Sequence, residues 1–534
     1  MRNSTTKTGS VHFAEGKFMV KIVTSESAKK KLIIIGAGIS GLSAGVYAQK
    51  AGYATEIYEK NAVPGGECMG WDRKGYHIDG CIHWLTGTNP NDPLNKVWRQ
   101  TGALSDNVKI YQSESFVVLD TGDRTVHLYK DFEKLKSHLL EISPEDKEPL
   151  EELFAATQAC FHAAIPMHAP ELMGPIEMIK MMRSMGSQQK IMKSMNMSLG
   201  DYVKRFKSDA IRTALVSVLP SEQCANILPY TLATVVTGNG GRPAGGSRAM
   251  AQRMEDTFCS LGGVLHLATP VEDIVIENQC AAGVRLAGKP GAVAIVRADH
   301  ILSATDIHVT LAKFLHGKYP LQEYAMRDAD PLTYPAPTGI YVTLGIDMDL
   351  SNMDPDLLIQ TEPFTLEGNP CSRMSLKHFC YEPSFAPEGH SVIGVFLSGK
   401  YDWWKALISD ETSDADAVHI KSQTYIAEKD RLIHDIIRVL EIRFPAWKGH
   451  MIPLDVVTPL TYERYCGAYR GQWMAYGNTP QSKRLMNFGK IKGLSNFSMS
   501  GQWLLPPGGL PVAVITGKWA IQRLCKMDKL LWRW

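Results

Sequence analysis

Three glycines, Gly36, Gly38 and Gly41, stand in G-x-G-x-x-G register directly behind an all-apolar run, Leu32 to Ile35. A phosphate-bearing ligand needs this spacing. Gly36 permits the tight turn, Gly38 lets backbone approach a pyrophosphate, and Gly41 lets a helix pack closely on a strand. The helix that follows opens at Ile39 and Ser40 and stops at Gly52. It would aim free amide N–H groups, and the positive end of its dipole, at the phosphates. A second strand, Thr55 to Tyr58, ends at Glu59, followed by Lys60. Glu59 lies where a carboxylate accepts ribose hydroxyls. A lone G-x-G-x-x-G is a weak signal. Strand, helix, second strand and terminal acid in this order predict a dinucleotide site rather than a glycine turn of purely structural use.

Downstream, KNAVPGGE sets a second glycine pair, Gly65 and Gly66, which lets the chain run close to a pyrophosphate-bearing cofactor. GYHIDGCIHWLTG then leads through Asp79 and Gly80 into Ile82, His83 and Trp84. This order resembles the family of flavin oxidoreductases that includes phytoene desaturases, carotenoid isomerases, retinol saturases and, more distantly, flavin amine oxidases. The resemblance covers most of residues 30–534. It implies FAD as cofactor, with Ile82, His83 and Trp84 beside the isoalloxazine. In PVEDIVIE it implies a backbone contact from Val271 to adenine. ADHILSATD matches the strand that returns to the cofactor domain, around Ser303 and Ala304. SMSGQWLLPPGGLPVAVITGKWA resembles the C-terminal flavin motif. There Gly501 would meet the pyrophosphate–ribityl region, and Gly508, Gly509 and Pro511 would set a helix N-terminus, near Val512 and Ala513, against the flavin. A helix dipole so placed stabilises an anionic reduced flavin. One position departs from the pattern: Glu67 stands where the family commonly has Arg. An acid facing a pyrophosphate is repelled, so Glu67 is expected to turn away or pair with a cation, with Arg73 substituting for the missing charge.

The elements that must position these residues predict an α/β fold. It consists of a discontinuous Rossmann-like FAD-binding domain from residues 30–110, 240–310 and 485–534. An α+β substrate domain, 111–239 and 311–484, is interleaved with it, and residues 1–29 form a polar tail. In SPEDKEPLEELF, Ser143 is an N-cap candidate, Pro144 suits the first helical position, and Asp146 closes a capping-box-like pattern. GNGGRPAGG has the wrong spacing for a second dinucleotide site and reads as a glycine-rich loop bordering the flavin. With no second Rossmann unit, the electron partner (a quinone, oxygen or NAD(P)) must visit, or the redox state is conserved over the cycle.

Composition narrows the function. A net charge of +2 gives no global field for nucleic acid. The ten cysteines form no C-x-x-C pair, which argues against zinc and against a disulfide scaffold, and favours a reducing, cytoplasmic compartment. No metal site is expected. Cys68 and Cys81 flank the flavin region and read as buried small residues. No segment reads as a signal peptide or a spanning helix, and Met19 begins a second plausible start. The Met- and Lys-rich stretch 173–206 is either an amphipathic surface touching a bilayer or core helices with solvated faces. The tail Leu530, Leu531, Trp532, Arg533 and Trp534 is either an interfacial anchor or a packed final helix.

His83 is the candidate acid or base because imidazole titrates near neutral pH, with a packed structural histidine as the alternative. Tyr462, Tyr465 and Trp473 are candidates to line the substrate mouth, or else hydrogen-bond across a sheet. The leading expectation is desaturation, saturation or isomerisation of a long apolar isoprenoid by hydride transfer at flavin N5. Amine or amino-acid oxidation, with Arg470 and Trp473 as anchors, is the second reading, and a non-enzymatic prenyl-lipid-binding protein on the same fold the third.

Overall fold

The computed structural model describes residues 29–163, 165–288, 294–408 and 422–532. Most of the polar N-terminal stretch, with Met19, lies outside the described residues, as do Arg533 and Trp534.

Leu32–Ile35 is buried without interruption, a pattern that suits a strand covered on both faces. The strands Lys31–Ile35 (β1), Ala54–Tyr58 (β2), Val264–His266 (β3), His300–Ser303 (β4) and Phe497–Met499 (β5) form one parallel sheet in the order β3-β2-β1-β4-β5. The order reverses beside β1, and ligands of such sheets bind at the carboxyl ends of the strands at that switch point. Helices Ile39–Ala51 (α1), Gly246–Ser260 (α2) and Leu510–Met527 (α3) cover the sheet. α1 stops at Gly52, which takes the left-handed conformation that glycine adopts without strain. α1 and α3 approach closely: a Cβ at Gly517 would sit 2.4 Å from the Ser40 carbonyl oxygen. Ser43 Oγ also donates to the Val514 carbonyl across that contact at 2.7 Å.

A seven-stranded mixed sheet forms the second layer system. Its strands run, in spatial order, Met451–Val457, Gly339–Ile346, Ser391–Ser398, Asn369–His378, Asp356–Leu366, Ser115–Asp120 and Thr125–Tyr129. The helix Gln423–Arg443 lays Tyr425, Leu432, Ile436 and Leu440 into a core with Trp404 and Ile340. Each such fully buried side chain contributes about 1.5–3 kcal/mol. A helical module follows the two outer strands. In it Ser143 Oγ bonds Asp146 at 2.7 Å, closing a single 3-10 turn ahead of Lys147–Ala159. Asp146 does more than close that turn: its carboxylate also takes the amides of Lys207 and Ser208, tying in the start of the helix Asp209–Val216.

The glycine-rich stretch departs from its reading as a loop. Gly240–Pro243 is a short strand paired with Leu85–Thr86 and Ile110–Tyr111. The bare glycines allow it, since a Cβ at Gly241 would meet Ile110 Cγ2 at 2.3 Å. Among the described residues no helix is long and apolar enough to cross a membrane.

Candidate functional site

The site opens where β1 ends. Gly36 has φ +96° and donates its amide to the Tyr58 carbonyl at 2.8 Å. A Cβ at Gly41 would meet the Gly36 carbonyl oxygen at 2.0 Å, so this turn tolerates only hydrogen there. Gly38 bridges to Gly65, and Gly65 donates to the Ala37 carbonyl at 2.9 Å. The two glycine motifs thus meet as main chain against main chain. Gly65 and Gly66 both have positive φ. Glu59 is 5% exposed and holds the turn from below, accepting the Ala37 amide at 2.8 Å and the Asn61 amide at 2.9 Å. Lys60 donates to the Arg464 carbonyl at 3.0 Å. Val271 is buried against Ile33, Ile35 and Tyr58, two residues after an amide that bonds the Glu59 carbonyl.

The second wall comes from distant sequence. Ser303, at the end of β4, accepts the Ser500 amide at 2.9 Å, and the Ala304 amide bonds the Ile35 carbonyl at 2.9 Å. Ser40 and Ser500 share a hydroxyl bond at 2.8 Å, so α1 and the C-terminal motif lie side by side. Gly501 has φ +135° and Gly509 φ +83°. Pro511 occupies the first turn of α3, where its missing N–H costs nothing, and Val512 is buried behind it. Neither α1 nor α3 has a side-chain cap at its N-terminus. Uncapped amides and positive dipole ends suit a dianionic pyrophosphate and an anionic reduced ring. The donor set therefore fits FAD.

Glu67 corrects the sequence expectation. Among the described residues it finds no cation. Gln502 Nε2 donates to its carboxylate at 3.1 Å, while Gln502 Oε1 accepts the Gly509 amide at 2.9 Å. Burial, reinforced by the field of Asp306, pushes the Glu67 carboxyl up to about 8. A carboxylic acid that keeps its proton at neutral pH carries no charge to repel a phosphate. Arg73 does not substitute for it; that guanidinium pairs with Asp455 at 3.3 Å on the outer face.

At the other end, Ile82, His83 and Trp84 are held through their backbone. The Ile82 amide donates to Ser247 Oγ at 3.0 Å, Lys377 Nζ donates to the Ile82 carbonyl at 2.6 Å, and Arg242 Nε to the His83 carbonyl at 2.9 Å. Arg242 in turn pairs with Asp356. Burial lowers Lys377 to about 7, with Arg242 adding to the shift. Burial, with Lys377 and Arg242 beside it, also drives the His83 imidazole well below its usual value, so it is neutral. The imidazole packs edge-on to Phe396 at 5.4 Å, and Phe396 packs edge-on to Trp473 at 5.5 Å. Tyr341 stands 6.2 Å from Phe396, and Trp84 packs edge-on to Phe116 at 5.0 Å.

The three mouth candidates separate. Trp473 and Tyr462 join one cluster with Tyr341 and Ile78. Tyr465 does not: it is 45% exposed, under the Arg464 guanidinium, because it lies on the solvent face of its helix, Pro459–Cys466. Phe396, Tyr341, Lys377, Arg242 and Gln502 escaped the sequence reading. Local signals existed for three of them: a lysine inside the apolar strand segment SLKHF, the arginine of GNGGRPAGG, and the glutamine after Gly501.

Comparison with known proteins agrees with this geometry. The chloroplastic prolycopene isomerase of Daucus carota is 22% identical over 464 residues, covering 84% of this chain and 72% of that protein. The lycopene-forming phytoene desaturase of Pseudescherichia vulneris is 25% identical over 303 residues, covering 55% and 58%. Among solved structures, an oxidoreductase from Methanosarcina mazei aligns with TM-score 0.58 at 17% identity, over 92% of this chain and all of its own. Cyclohexylamine oxidase from Brevibacterium oxydans aligns with TM-score 0.55 at 14% identity, over 94% and 100%. These structural likenesses establish the fold. The profile described as flavin containing amine oxidoreductase matches residues 39–420; the chain belongs to that family, and its cofactor is FAD.

Proposed function

We propose that this flavin oxidoreductase desaturates, saturates or isomerises C–C bonds of a long apolar substrate of isoprenoid, carotenoid or retinoid type. The observation that carries the reading is the aromatic wall His83–Phe396–Trp473, with Tyr341 behind it, at the end of the site away from the glycine turns. An apolar wall of this kind orients a hydrocarbon chain by shape and excludes water. Bound FAD supplies hydride transfer at N5. Glu67 and Gln502 hold the Gly508–Gly509 turn in place without adding charge, and Lys377 and Arg242 pin the carbonyls of Ile82 and His83 so that this stretch keeps one conformation. The neutral His83 serves as part of the wall rather than as a cationic acid. Relatives named as prolycopene isomerase and phytoene desaturase support the same substrate class.

The electron partner in this reading is an external quinone, oxygen or NAD(P). Docking at a membrane would deliver the substrate: Ile176, Ile179 and Met182 are exposed along the helix Pro175–Ser194, and Leu531 is exposed near the C-terminus. Amine oxidation has less support, because Arg470 is engaged with Asp402 rather than free to anchor a polar end group. The test is native extraction of co-purifying lipid with mass spectrometry, followed by anaerobic exposure of the holoenzyme to polyenes and to amines. Bleaching of the flavin by a polyene, or a change of polyene isomer without net bleaching, is expected. Bleaching and peroxide release with amines alone would overturn the reading.

A further inference from the structure

The hairpin that carries the chain from Gly66 to Ile82 has a thiol on each side of its base. Its strands, Gly70–Arg73 and Tyr76–Asp79, pair antiparallel with Gly70 opposite Asp79. The Gly80 amide donates to the Met69 carbonyl at 3.0 Å and extends the ladder by one step. The next step in the same register sets Cys68 opposite Cys81. Hydrogen-bonded and non-hydrogen-bonded pairs alternate along such a ladder, and the latter bring Cα atoms to about 4.5 Å. A disulfide spans roughly 4.4–6.8 Å between Cα atoms. The side chains do meet. A hydrogen bond shared with the Cys81 thiol, together with burial, pushes the Cys68 thiol well up.

Both thiols are free, and they differ in access. Cys68 is 1% exposed, and its Sγ also reaches the Ser247 carbonyl at 3.7 Å. Cys81 is half-buried, in the field of the Lys377 amine.

We propose that Cys68 and Cys81 are a redox-active dithiol that closes reversibly to a disulfide across the base of this hairpin, by exchange with a low-molecular-weight disulfide of the glutathione kind. Cys81 enters first. Its thiolate attacks one sulfur of the small disulfide, and one small thiolate leaves and takes up a proton. Cys68 then gives up its proton and attacks the Cys81 sulfur of the mixed disulfide, releasing the second small thiol. Two cysteine thiols are oxidised to one disulfide while one small disulfide is reduced to two thiols, so protons and electrons balance. The link joins the segment just after the Gly65–Gly66 pair to the segment that leads into Ile82–Trp84. Closure would therefore be felt at both ends of the cofactor site, whatever the substrate.

The experiment equilibrates FAD-loaded protein, without substrate, in graded ratios of reduced to oxidised glutathione. After acid quench, free thiols are alkylated with a light reagent and reducible ones with a heavy reagent, and peptides carrying each cysteine are mapped. Cys68 and Cys81 are expected to oxidise together, as one linked pair, while the buried Cys160, Cys224 and Cys525 stay reduced. In Cys68→Ser the small thiol should stay attached to Cys81. Flavin fluorescence and circular dichroism confirm that the fold persists throughout. The proposal is overturned by wild-type protein that accumulates glutathione on Cys81 with Cys68 still reduced. It is equally overturned if both thiols stay reduced at every ratio while the fold persists. Should Cys68→Ser fail to fold, the wild-type map alone decides.

Discussion

At the nucleotide end of the site, Gly36, Gly38, Gly41, Gly65 and Gly66 present main chain, and a single acid, Glu59, locks two backbone amides beneath the turn. At the end proposed for the ring, the wall is side chain throughout: His83, Phe396 and Trp473 come from three remote segments, and Lys377 and Arg242 support them from two more. In the first arrangement Gly41 and Gly65 leave no room for a Cβ, which would meet backbone carbonyl oxygens at 2.0 and 2.4 Å. The second fixes backbone carbonyls and leaves the exposed faces of the aromatics to be exchanged. A cofactor common to a whole family can be bound by the one, and a substrate particular to each member by the other.

The comparison can be broken most directly at its rigid end. Gly41→Ala forces a methyl onto the Gly36 carbonyl oxygen and should cost both stability and FAD. In Gly38→Ala the new Cβ meets protein atoms only at 3.9 Å, so the fold should survive while FAD is lost. We expect FAD affinity in Gly38→Ala to fall at least tenfold, about 1.4 kcal/mol, measured by flavin absorbance per protein and by thermal melting of the apoprotein. Equal flavin content in wild type and Gly38→Ala would remove the main-chain argument. At the adaptable end, Phe396→Ala should retain FAD and lose substrate positioning, with KM for a polyene rising roughly tenfold, about 1.4 kcal/mol.

Two buried titratable groups sharpen the contrast through pH. Glu67 has a folded value of about 8, above its ordinary 4.5. Its contribution to stability is complete below pH 4.5 and is lost as pH rises through 8. Lys377 runs the other way. With a folded value of about 7 against 10.5, its penalty is complete below pH 7 and relieved as pH rises toward 10.5. Melting temperature against pH should lose the first slope in Glu67→Gln and the second in Lys377→Met. A wild-type slope that survives both substitutions would assign the titrations elsewhere. The smallest effect is expected for Arg470→Ala. Its ion pair with Asp402 is surface-exposed, so stability should change by about 0.5 kcal/mol or less, measured by thermal melting.

Much of the nucleotide end was legible in the sequence because its chemistry is local. Lys31 to Glu59 is one strand–helix–strand unit, in which Gly36 has positive φ and Gly41 has no room for a Cβ. The parallel order around β1 follows from the same unit. At the other end His83 and Trp473 were named from the sequence but Phe396 was not, because it lies on a strand buried almost throughout, whose local pattern is that of any buried sheet. Which strand faces the cofactor is a property of the seven-stranded order, not of the segment. Glu67 shows the limit from the other side. The sequence marks it as a charge conflict, but the resolution is a proton held by burial beside Gln502, a residue far away in the chain.

The strand order of the parallel sheet also sets a timetable for biosynthesis. β1 is made long before β5, yet they are separated in the sheet only by β4. At a synthesis rate of about 5–20 residues per second, the interval between them is roughly half a minute to a minute and a half. Between the synthesis of β4 and that of β5, β4 has an unpaired edge, and the Ser303–Ser500 wall does not exist. FAD can be fully enclosed only after β5 has left the ribosome, so loading the cofactor waits for it, and a nascent chain cut short before Phe497 would have no completed pocket to fill.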